Sequence, residues 1–208
     1  MPVLPSDPIS PSEFMEEFVP AAMAEAEIPK DVEVRFGVCL TGEGGGEWVM
    51  ALDGGQASVE KASREEAFLT LIQTVDDWKG ALWEGRGGVF GQQAAALFAG
   101  AGRQEGAEPT PAPQMGALSA LSALDGLIRM RVTGGEGGDW STDFKLGPGP
   151  IPEDATTEIE ISAEDAQAMQ EGTLDPMQAF MSGKIRVTGD MALMMQMQAA
   201  LMAASQNS

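Results

Sequence analysis

The side chains with nucleophilic or metal-binding chemistry are few, and their spacing does not assemble a catalytic group. The chain has 208 residues, a single cysteine, Cys39, and no histidine. Without histidine, neither a histidine-based triad nor a histidine-ligated zinc site can form. Cys39 falls on the outward period of an alternating stretch, and the sequence offers no histidine that would activate its thiol. We therefore predict that the protein is not an enzyme.

Acidic residues stand in adjacent pairs, an arrangement that also occurs in glycosidase dyads and cation sites. In a chain with 32 acidic and 12 basic residues, solvated surfaces and helix N-termini are the more common setting, since carboxylates favour the positive end of the helix dipole. No EF-hand spacing is present, and we expect neither a metal nor a cofactor. The pairs are Glu16–Glu17, Glu65–Glu66, Asp76–Asp77 and Glu164–Asp165.

Two glycine-rich turns have nearly the same sequence, TGEGGGEW at residues 41–48 and TGGEGGDW at residues 133–140. Both contain acidic residues, lack a following Lys-Ser/Thr pair and lead into strands, so neither fits a phosphate-binding loop. The formal net charge of −20 disfavours nucleic acid, which proteins bind largely through Lys and Arg, and disfavours docking on anionic lipid. The matching turns instead indicate an internal repeat.

Composition and the ends of the chain favour a soluble, cytoplasmic protein. One cysteine cannot make an intrachain disulfide, which fits a reducing compartment. The N-terminal residues MPVLPSDPIS lack the charged and apolar regions of a signal peptide. The most apolar run, near residues 191–204, is too short to span a bilayer, so we expect no stable membrane insertion.

Hydrophobic periodicity predicts the elements of the first half. A helix is expected from Ser12 to about Ala26, shortened or kinked by Pro20. Thr74 is predicted to cap a helix that ends at Gly85. A further short helix is expected at residues 89–99, and the expected strands are 32–40, 48–52, a weaker one at 57–60, and 68–72.

The second half repeats this order. Residues 101–115 are a linker by composition, rich in Pro and Gly. A helix at 115–124 and strands at 128–132, 140–146 and 157–161 are expected next, and Ser162 opens a helix as Thr74 does. The charged residues on the outward period of these strands predict one solvated sheet face; they are Arg129, Arg131, Asp143, Lys145, Glu158, Glu160, Lys184 and Arg186.

The C-terminal stretch DPMQAFMSGKIRVTGDMALMMQMQAALM, residues 175–202, is the most informative part of the chain. Pro176 suits the first turn of a short helix that ends at Gly183, and residues 184–188 alternate as a half-buried strand does. Asp190 can cap a last helix that is rich in methionine. Its methionines either fill a core or form the adaptable wall of a cavity, and the pattern alone leaves both interpretations open.

Residues 180–193, FMSGKIRVTGDMAL, resemble the C-terminal signature of sterol carrier protein 2 (SCP2) domains. The preceding Ser162–Asp165, Glu171–Gly172 and Asp175–Phe180 segments and the glycine-rich turn before Trp140 also fit that family. The resemblance implies an α+β fold with a curved, mainly antiparallel sheet, helices on one face and an apolar tunnel for lipids. It covers most of the second half, and the repeat extends it to a tandem of two SCP2-like units, residues 10–103 and 117–208, joined by a linker at 104–116.

The resemblance also implies a function, a non-catalytic carrier of sterols, fatty acids, acyl-CoAs or isoprenoid-type lipids. The alternative is an interaction or scaffold protein that has lost the tunnel and contacts a protein partner through its Met-rich C-terminal helix. Each unit lacks elements that the other has, so we expect both halves to pack into one body. The residues expected to line the tunnel are Phe144, Ile161, Met169, Phe180, Met181, Ile185, Met191, Met194, Met195 and Met197.

Overall fold

A single eight-stranded mixed sheet, with helices packed against it, organises the chain as an α+β fold. The computed structural model describes residues 4–24, 33–91, 124–193, 195–196 and 199. The linker predicted at 104–116 and nearly all of the helix predicted at 115–124 lie outside these residues. The helix predicted at 89–99 is described only at its start, where residues 88–91 are helical.

The N-terminal helical segment has three parts, α1 (Pro11–Glu13), a π-helical turn (Phe14–Phe18) and α2 (Val19–Met23). Ser10 caps it by accepting a hydrogen bond from the Glu13 N–H, slightly earlier than the predicted start at Ser12. The π-helical turn stands directly before Pro20, which has no N–H to donate. The helix was predicted to be shortened or kinked at Pro20, and the structure instead shows a change of helix type before this residue.

After the N-terminal helical segment, the described part of the first half contributes four strands, a nine-residue helix and the helical start at residues 88–91. The Thr74 hydroxyl accepts from the Asp77 N–H at 2.9 Å, which confirms the predicted cap. Strand β3 is the short one, as the weaker alternation predicted. The elements are β1 (Val34–Thr41), β2 (Gly46–Asp53), β3 (Gln56–Glu60), β4 (Leu69–Thr74) and α3 (Val75–Trp83).

The described part of the second half contributes four more strands, two complete helices and the start of a last helix at residues 191–193. Ser162 caps its first helix by accepting from the Asp165 N–H at 3.1 Å, in the same way as Thr74. The elements are β5 (Gly126–Gly135), β6 (Gly138–Leu146), β7 (Thr157–Ser162), α4 (Ala163–Gln170), α5 (Pro176–Met181) and β8 (Ile185–Gly189).

Strands of both halves lie in one sheet, in the order β3-β2-β1-β4-β6-β5-β7-β8. Neighbours are antiparallel except for the parallel pairs β1–β4 and β5–β7. The halves meet at the β4–β6 pair, from Leu69 opposite Leu146 to Ile72 opposite Asp143. We call this strand pair the seam.

One face of the sheet, which we call the inner face, is apolar except at Gln73, Thr142 and Thr157. Because paired residues point to the same side, inward side chains form rows, one of which is Trp48, Val38, Leu71, Phe144 and Ile128. Helix α3 packs against β1, β4 and β6, and α4 packs against β5 and β7. A single hydrophobic core therefore joins the two halves.

The opposite, outer face carries the predicted cross-strand charges. The guanidinium of Arg129 binds both carboxylate oxygens of Asp143, at 2.9 and 2.7 Å. Arg131 pairs with Glu158 at 3.1 Å. Such pairs fix the strands in register, although exposed ones stabilise a sheet by less than about 1 kcal/mol.

Lys145 corrects the prediction for this face, because its side chain is only 4% exposed. Its ammonium donates to Asp125 Oδ1 at 2.7 Å and to the carbonyls of Leu146, Gly147 and Pro148 at 2.5, 3.1 and 3.2 Å. The segment after β6 folds back around the ammonium and excludes water from it. The alternation of the strand assigned Lys145 correctly to the outer face. It could not predict that the segment after β6 would fold over the side chain and bury it.

The same segment also binds the first half. The Gly147 N–H donates to the Phe68 carbonyl at 2.7 Å, and the Gly149 N–H donates to the Glu65 carbonyl at 2.8 Å. Arg64, which is buried, donates to the Gly149 carbonyl at 3.1 Å. The two halves therefore meet through the loop after β6 as well as through the seam.

Candidate functional site

The candidate site lies on the part of the inner face formed by β5, β7 and β8. Ile128 and Val132 of β5 and Ile159 and Ile161 of β7 are buried there. Met130 on β5 is half-buried. The unbranched thioether side chain of Met130 adapts its shape to a neighbour more readily than an aromatic ring or a β-branched side chain does.

Helix α5 forms the rim of this region. The Asp175 carboxylate accepts from the N–H groups of Met177 and Gln178, at 2.9 and 3.0 Å, and Pro176 occupies the first turn. The helix ends at Gly183, whose φ of +74° is the left-handed conformation expected of a C-terminal glycine. Both ends were predicted from the sequence and are confirmed.

The exposed face of α5 is apolar. Met177, Phe180 and Met181 are spaced i, i+3 and i+4 and therefore share one side of the helix, with 62%, 45% and 80% exposure. Ala179, in contrast, is fully buried and docks the helix on the protein. The helix thus attaches through its smallest apolar side chain and presents its largest ones to solvent.

The last helix begins against the other end of the same strands. The Asp190 carboxylate accepts from the Ala192 N–H at 2.7 Å, which confirms the predicted cap. Leu193 is buried in the core, and a Cβ added at Gly126 would stand 2.8 Å from its Cδ2 atom. Gly126 has a φ of +151°. Glycine at this position therefore allows the last helix to approach β5 closely.

An ion pair fixes α4 to the turn before β8. The Lys184 ammonium hydrogen-bonds to the Asp165 carboxylate, and the Ser162 hydroxyl donates to the same carboxylate at 2.9 Å. These two hydrogen bonds, with that of Lys184 the stronger cause, lower the pKa of Asp165 below its ordinary value. The charged groups around the site thus lie at its rim.

The structure places the predicted tunnel residues in three different settings. Ile161 is buried, while Phe144, Met169 and Ile185 are half-buried against the core. Phe180, Met181, Met191 and Met195 lie on the protein surface. The side chains of Met194 and Met197 lie outside the described residues. Lipid contact by these residues stays a prediction, and the four surface residues are open to solvent instead of enclosed.

Two polar residues that point to the inner face were not among the predicted site residues. Gln73 on β4 and Thr142 on β6 are buried on the inner face, on the two sides of the seam. The sequence did contain a signal that could have identified Gln73. The inward positions of β4 are Leu69, Leu71 and Gln73, so the polar residue interrupts an otherwise apolar alternation. Neither residue belongs to the C-terminal stretch on which the prediction was based.

The described part of the chain contains no group of Cys, Asp and Glu side chains that could hold a metal ion. Cys39 is buried, and burial, then the nearby Glu47 carboxylate, raise the pKa of its thiol. A protonated thiol is a weak nucleophile. In the same residues, no helix is long and apolar enough to cross a bilayer.

Comparison with known proteins locates a family match in the second half. Residues 111–202 match the SCP-2 sterol transfer family. The chain is similar to hydroxysteroid dehydrogenase-like protein 2 of Pongo abelii, with 28% identity over 109 residues, covering 44% of this chain and 26% of that protein. It is also similar to sterol carrier protein 2 of Oryctolagus cuniculus, with 33% identity over 85 residues, covering 38% of this chain and 16% of that protein.

The chain therefore matches only a minor part of the length of these relatives. Among solved structures, it is similar to the solution structure of the sterol carrier protein domain 2 of Helicoverpa armigera, with 23% identity and a TM-score of 0.31, covering 42% of this chain and 74% of that one. The family match includes the motifs at 162–193. The second half of the chain thus carries an SCP2 domain, over the residues, 111–202, that match the SCP-2 sterol transfer family.

Proposed function

We propose that this protein is a non-catalytic lipid carrier that holds an apolar ligand against the inner face of its second half. One observation carries the proposal. The large hydrophobic side chains that are exposed among the described residues all lie between residues 177 and 195, within the family match. They are Met177, Phe180, Met181, Met191 and Met195.

The driving force would be removal of the ligand's apolar surface from water. Each buried CH₂ group contributes about 0.8 kcal/mol, so a long acyl chain or a sterol needs only an apolar surface that excludes water. Unbranched methionine side chains adapt to ligands of different shape. Sterols, fatty acids, acyl-CoAs and isoprenoid-type lipids all satisfy this requirement, and they are the proposed ligand classes.

The first half would be a second, divergent copy of the SCP2-like unit. In each half, the first two strands pair antiparallel, the first strand pairs in parallel with a later one, and a capped helix follows. β4 occupies, beside β6, the place that β3 occupies beside β2. This arrangement supports the proposed units at 10–103 and 117–208, with the linker at 104–116, as parts of one body.

The exposed apolar face of α5 also favours a second candidate function. A protein partner covering Met177, Phe180 and Met181 would remove the same surface from water, and methionine-rich surfaces suit partners of variable shape. In that case the protein would be a scaffold whose SCP2 fold no longer binds lipid. A cytoplasmic location is part of both proposals and is supported by the free, buried thiol of Cys39.

Lipid extraction distinguishes the two candidates. Native mass spectrometry of the full chain purified from cells should show a bound species in the lipid mass range, and delipidated protein should take up a fluorescent fatty acid. A double variant, Met177→Gln with Met181→Gln, should weaken uptake, because both side chains are exposed and their replacement leaves the core intact. Gln178→Ser on the same helix is the matched control and should not change uptake.

Two results would contradict the proposed carrier function. The first is a protein that is free of ligand in every preparation and takes up no fatty acid. The second is a mass in light scattering that rises with concentration in the wild type but not in the Met177/Met181 double variant, which would favour the scaffold.

A further inference from the structure

Polar side chains are rare on the inner face, and two of them each contain a buried atom without a hydrogen-bond partner. Among the inward positions of the paired strands, the polar residues are Gln73, Thr142 and Thr157. The Thr157 hydroxyl donates to the Asp190 carbonyl at 2.9 Å. The Gln73 Nε2 and Thr142 Oγ1 atoms are buried without any hydrogen-bond partner. Native proteins leave few buried polar groups in this condition.

These two residues are neighbours across the seam. The last pair of the antiparallel register is Ile72 opposite Asp143, and Gln73 and Thr142 are the next residues along the two strands. Helix α3 lies over both strands. Its fully buried Trp78 has a third hydrogen-bond donor, Nε1, that is also unpaired. Unpaired donors therefore concentrate in the layer between α3 and the seam.

An apolar row leads from this place to the edge of the sheet. Thr142 stands opposite Met130, Met130 opposite Ile159, and Ile159 opposite Val187 of the edge strand β8. From β4 to β8 the row crosses four strand spacings, or about 19 Å. Met130 and Val187 are half-buried. The row ends at β8, the strand against which α5 packs.

We propose that Gln73 and Thr142 form a polar subsite for a neutral oxygen atom, a hydroxyl or a carbonyl, at one end of the carried lipid. This inference rests on the proposed carrier function and adds an orientation to it. The oxygen binds at the seam, and the apolar body of the lipid follows the row through Met130 and Ile159 towards α5. The subsite takes one side chain from each half of the chain, so neither half forms it alone.

The chemistry of the subsite selects a neutral group. The Gln73 amide N–H₂ donates only, and the Thr142 hydroxyl can donate, so the matching ligand atom accepts hydrogen bonds. The inward positions of the described strands contain no Lys or Arg. A carboxylate at this depth would lose its hydration without gaining a cation. An alcohol, a ketone or an ester carbonyl loses less hydration free energy than a carboxylate and accepts the same hydrogen bonds from Gln73 and Thr142.

The test uses the full chain, stripped of lipid, and three probes with tails of the same length: 1-hexadecanol, hexadecane and palmitate. Displacement of a fluorescent apolar dye measures their relative affinities. We expect 1-hexadecanol to bind more tightly than hexadecane. The double variant Gln73→Leu with Thr142→Val should reduce this preference by about tenfold, the effect of one or two net hydrogen bonds. Hexadecane itself should bind the variant as well as it binds the wild type.

Two matched variants separate binding from folding. Thr142→Ser keeps the hydroxyl and should keep the preference for the alcohol. Thr157→Val removes an inward hydroxyl that already has an internal partner, so it should lower the thermal midpoint without changing the preference. Thermal unfolding of each variant without probes shows whether it is folded at the temperature of the binding measurement.

The outcomes distinguish this inference from the carrier function. Probes that bind without a preference for the alcohol, or with a preference that survives in the Gln73/Thr142 variant, overturn the subsite and leave the carrier intact. Tighter binding of palmitate than of 1-hexadecanol overturns the neutral-oxygen assignment. If the variant changes stability alone, the two groups have only a structural role and the subsite is wrong. If no probe binds, the carrier function and the subsite both fail.

Discussion

The two halves of the sheet differ most in what covers the inner face. In the first half, Phe14 stacks on Phe18 with ring centroids 5.1 Å apart and meets Trp78 edge-on at 5.2 Å. Trp78 in turn meets Trp83 at 5.3 Å. In the second half, the inner face beyond the seam presents isoleucine, valine and methionine, and the exposed apolar side chains of α5 lie at its rim.

This difference separates support from binding within one sheet. Aromatic rings are large and rigid, so a cluster of them fills the space between helix and strand permanently. Unbranched methionine side chains can adapt their shape to a bound ligand. The first half therefore contributes chiefly stability, with Gln73 at the seam as its proposed ligand contact, and the body of the proposed ligand lies in the second half, which is where the family match falls.

The largest expected effect comes from separating the halves. A fragment of residues 110–208 would expose the β6 edge that pairs with β4 and the inward side chains beside it. We expect it to lose cooperative urea unfolding, monitored by far-UV circular dichroism, and to aggregate. A fragment that unfolds cooperatively with the stability of the full chain would show two independent domains instead of one body.

A substitution in the aromatic cluster of the first half should destabilise the protein far more than a substitution on the exposed face of α5. Trp78→Ala should lower the free energy of unfolding by about 3–5 kcal/mol, because the side chain is fully buried among aromatic rings. Phe180→Ala, at an exposed position of α5, should cost less than about 1 kcal/mol. Urea midpoints of both variants measure the contrast, and equal losses would contradict the division into support and binding surface.

A smaller contrast concerns two basic residues on the outer face. Lys145→Met should lower the free energy of unfolding by about 1–3 kcal/mol, since it leaves buried carbonyls of the loop after β6 without their donor. Arg131→Met removes an exposed pair with Glu158 and should cost less than about 1 kcal/mol. Chemical denaturation measures both losses. A larger loss of unfolding free energy in Arg131→Met than in Lys145→Met would contradict the structural role of the Lys145 ammonium.

The smallest expected effect is the acid dependence of the second half. The pKa of Asp165 is lower in the folded chain than in the unfolded one, chiefly because of Lys184. Its contribution to stability is therefore present above about pH 4, the ordinary carboxyl value, and is lost as the pH falls through the folded pKa.

Lys184→Met should remove most of this contribution. The difference in thermal midpoint between wild type and Lys184→Met should be largest at neutral pH and should shrink in acid. A difference that stays constant with pH would show that the Asp165–Lys184 pair contributes nothing.

The sequence predicted local structure well wherever one residue determines the local geometry. The caps at Thr74, Ser162 and Asp190 and the helix end at Gly183 follow from side-chain oxygens and from glycine's freedom at positive φ. The alternation of the strands followed from the same local rules. Each of these features involves residues within a few positions of one another.

Contacts between distant parts of the chain were not predictable in the same way. The burial of Lys145 depends on a loop that folds back over it, and the unpaired groups of Gln73 and Thr142 become neighbours only when β4 meets β6. Periodicity states which side of a strand a residue takes but not what covers that side. The predicted tunnel residues show this limit, because Met181 and Met195 have the right spacing but lie at the surface.

The position of β4 in the middle of the finished sheet has a consequence for synthesis on the ribosome. Its partner β6 is translated only after the long stretch that includes residues 92–123. Until then β4 is an uncovered edge with Leu69 and Leu71 beside unpaired backbone groups, a template for pairing with another nascent chain. A chaperone that shields this strand, or slow emergence of the second half, would decide how much of the newly made protein escapes aggregation.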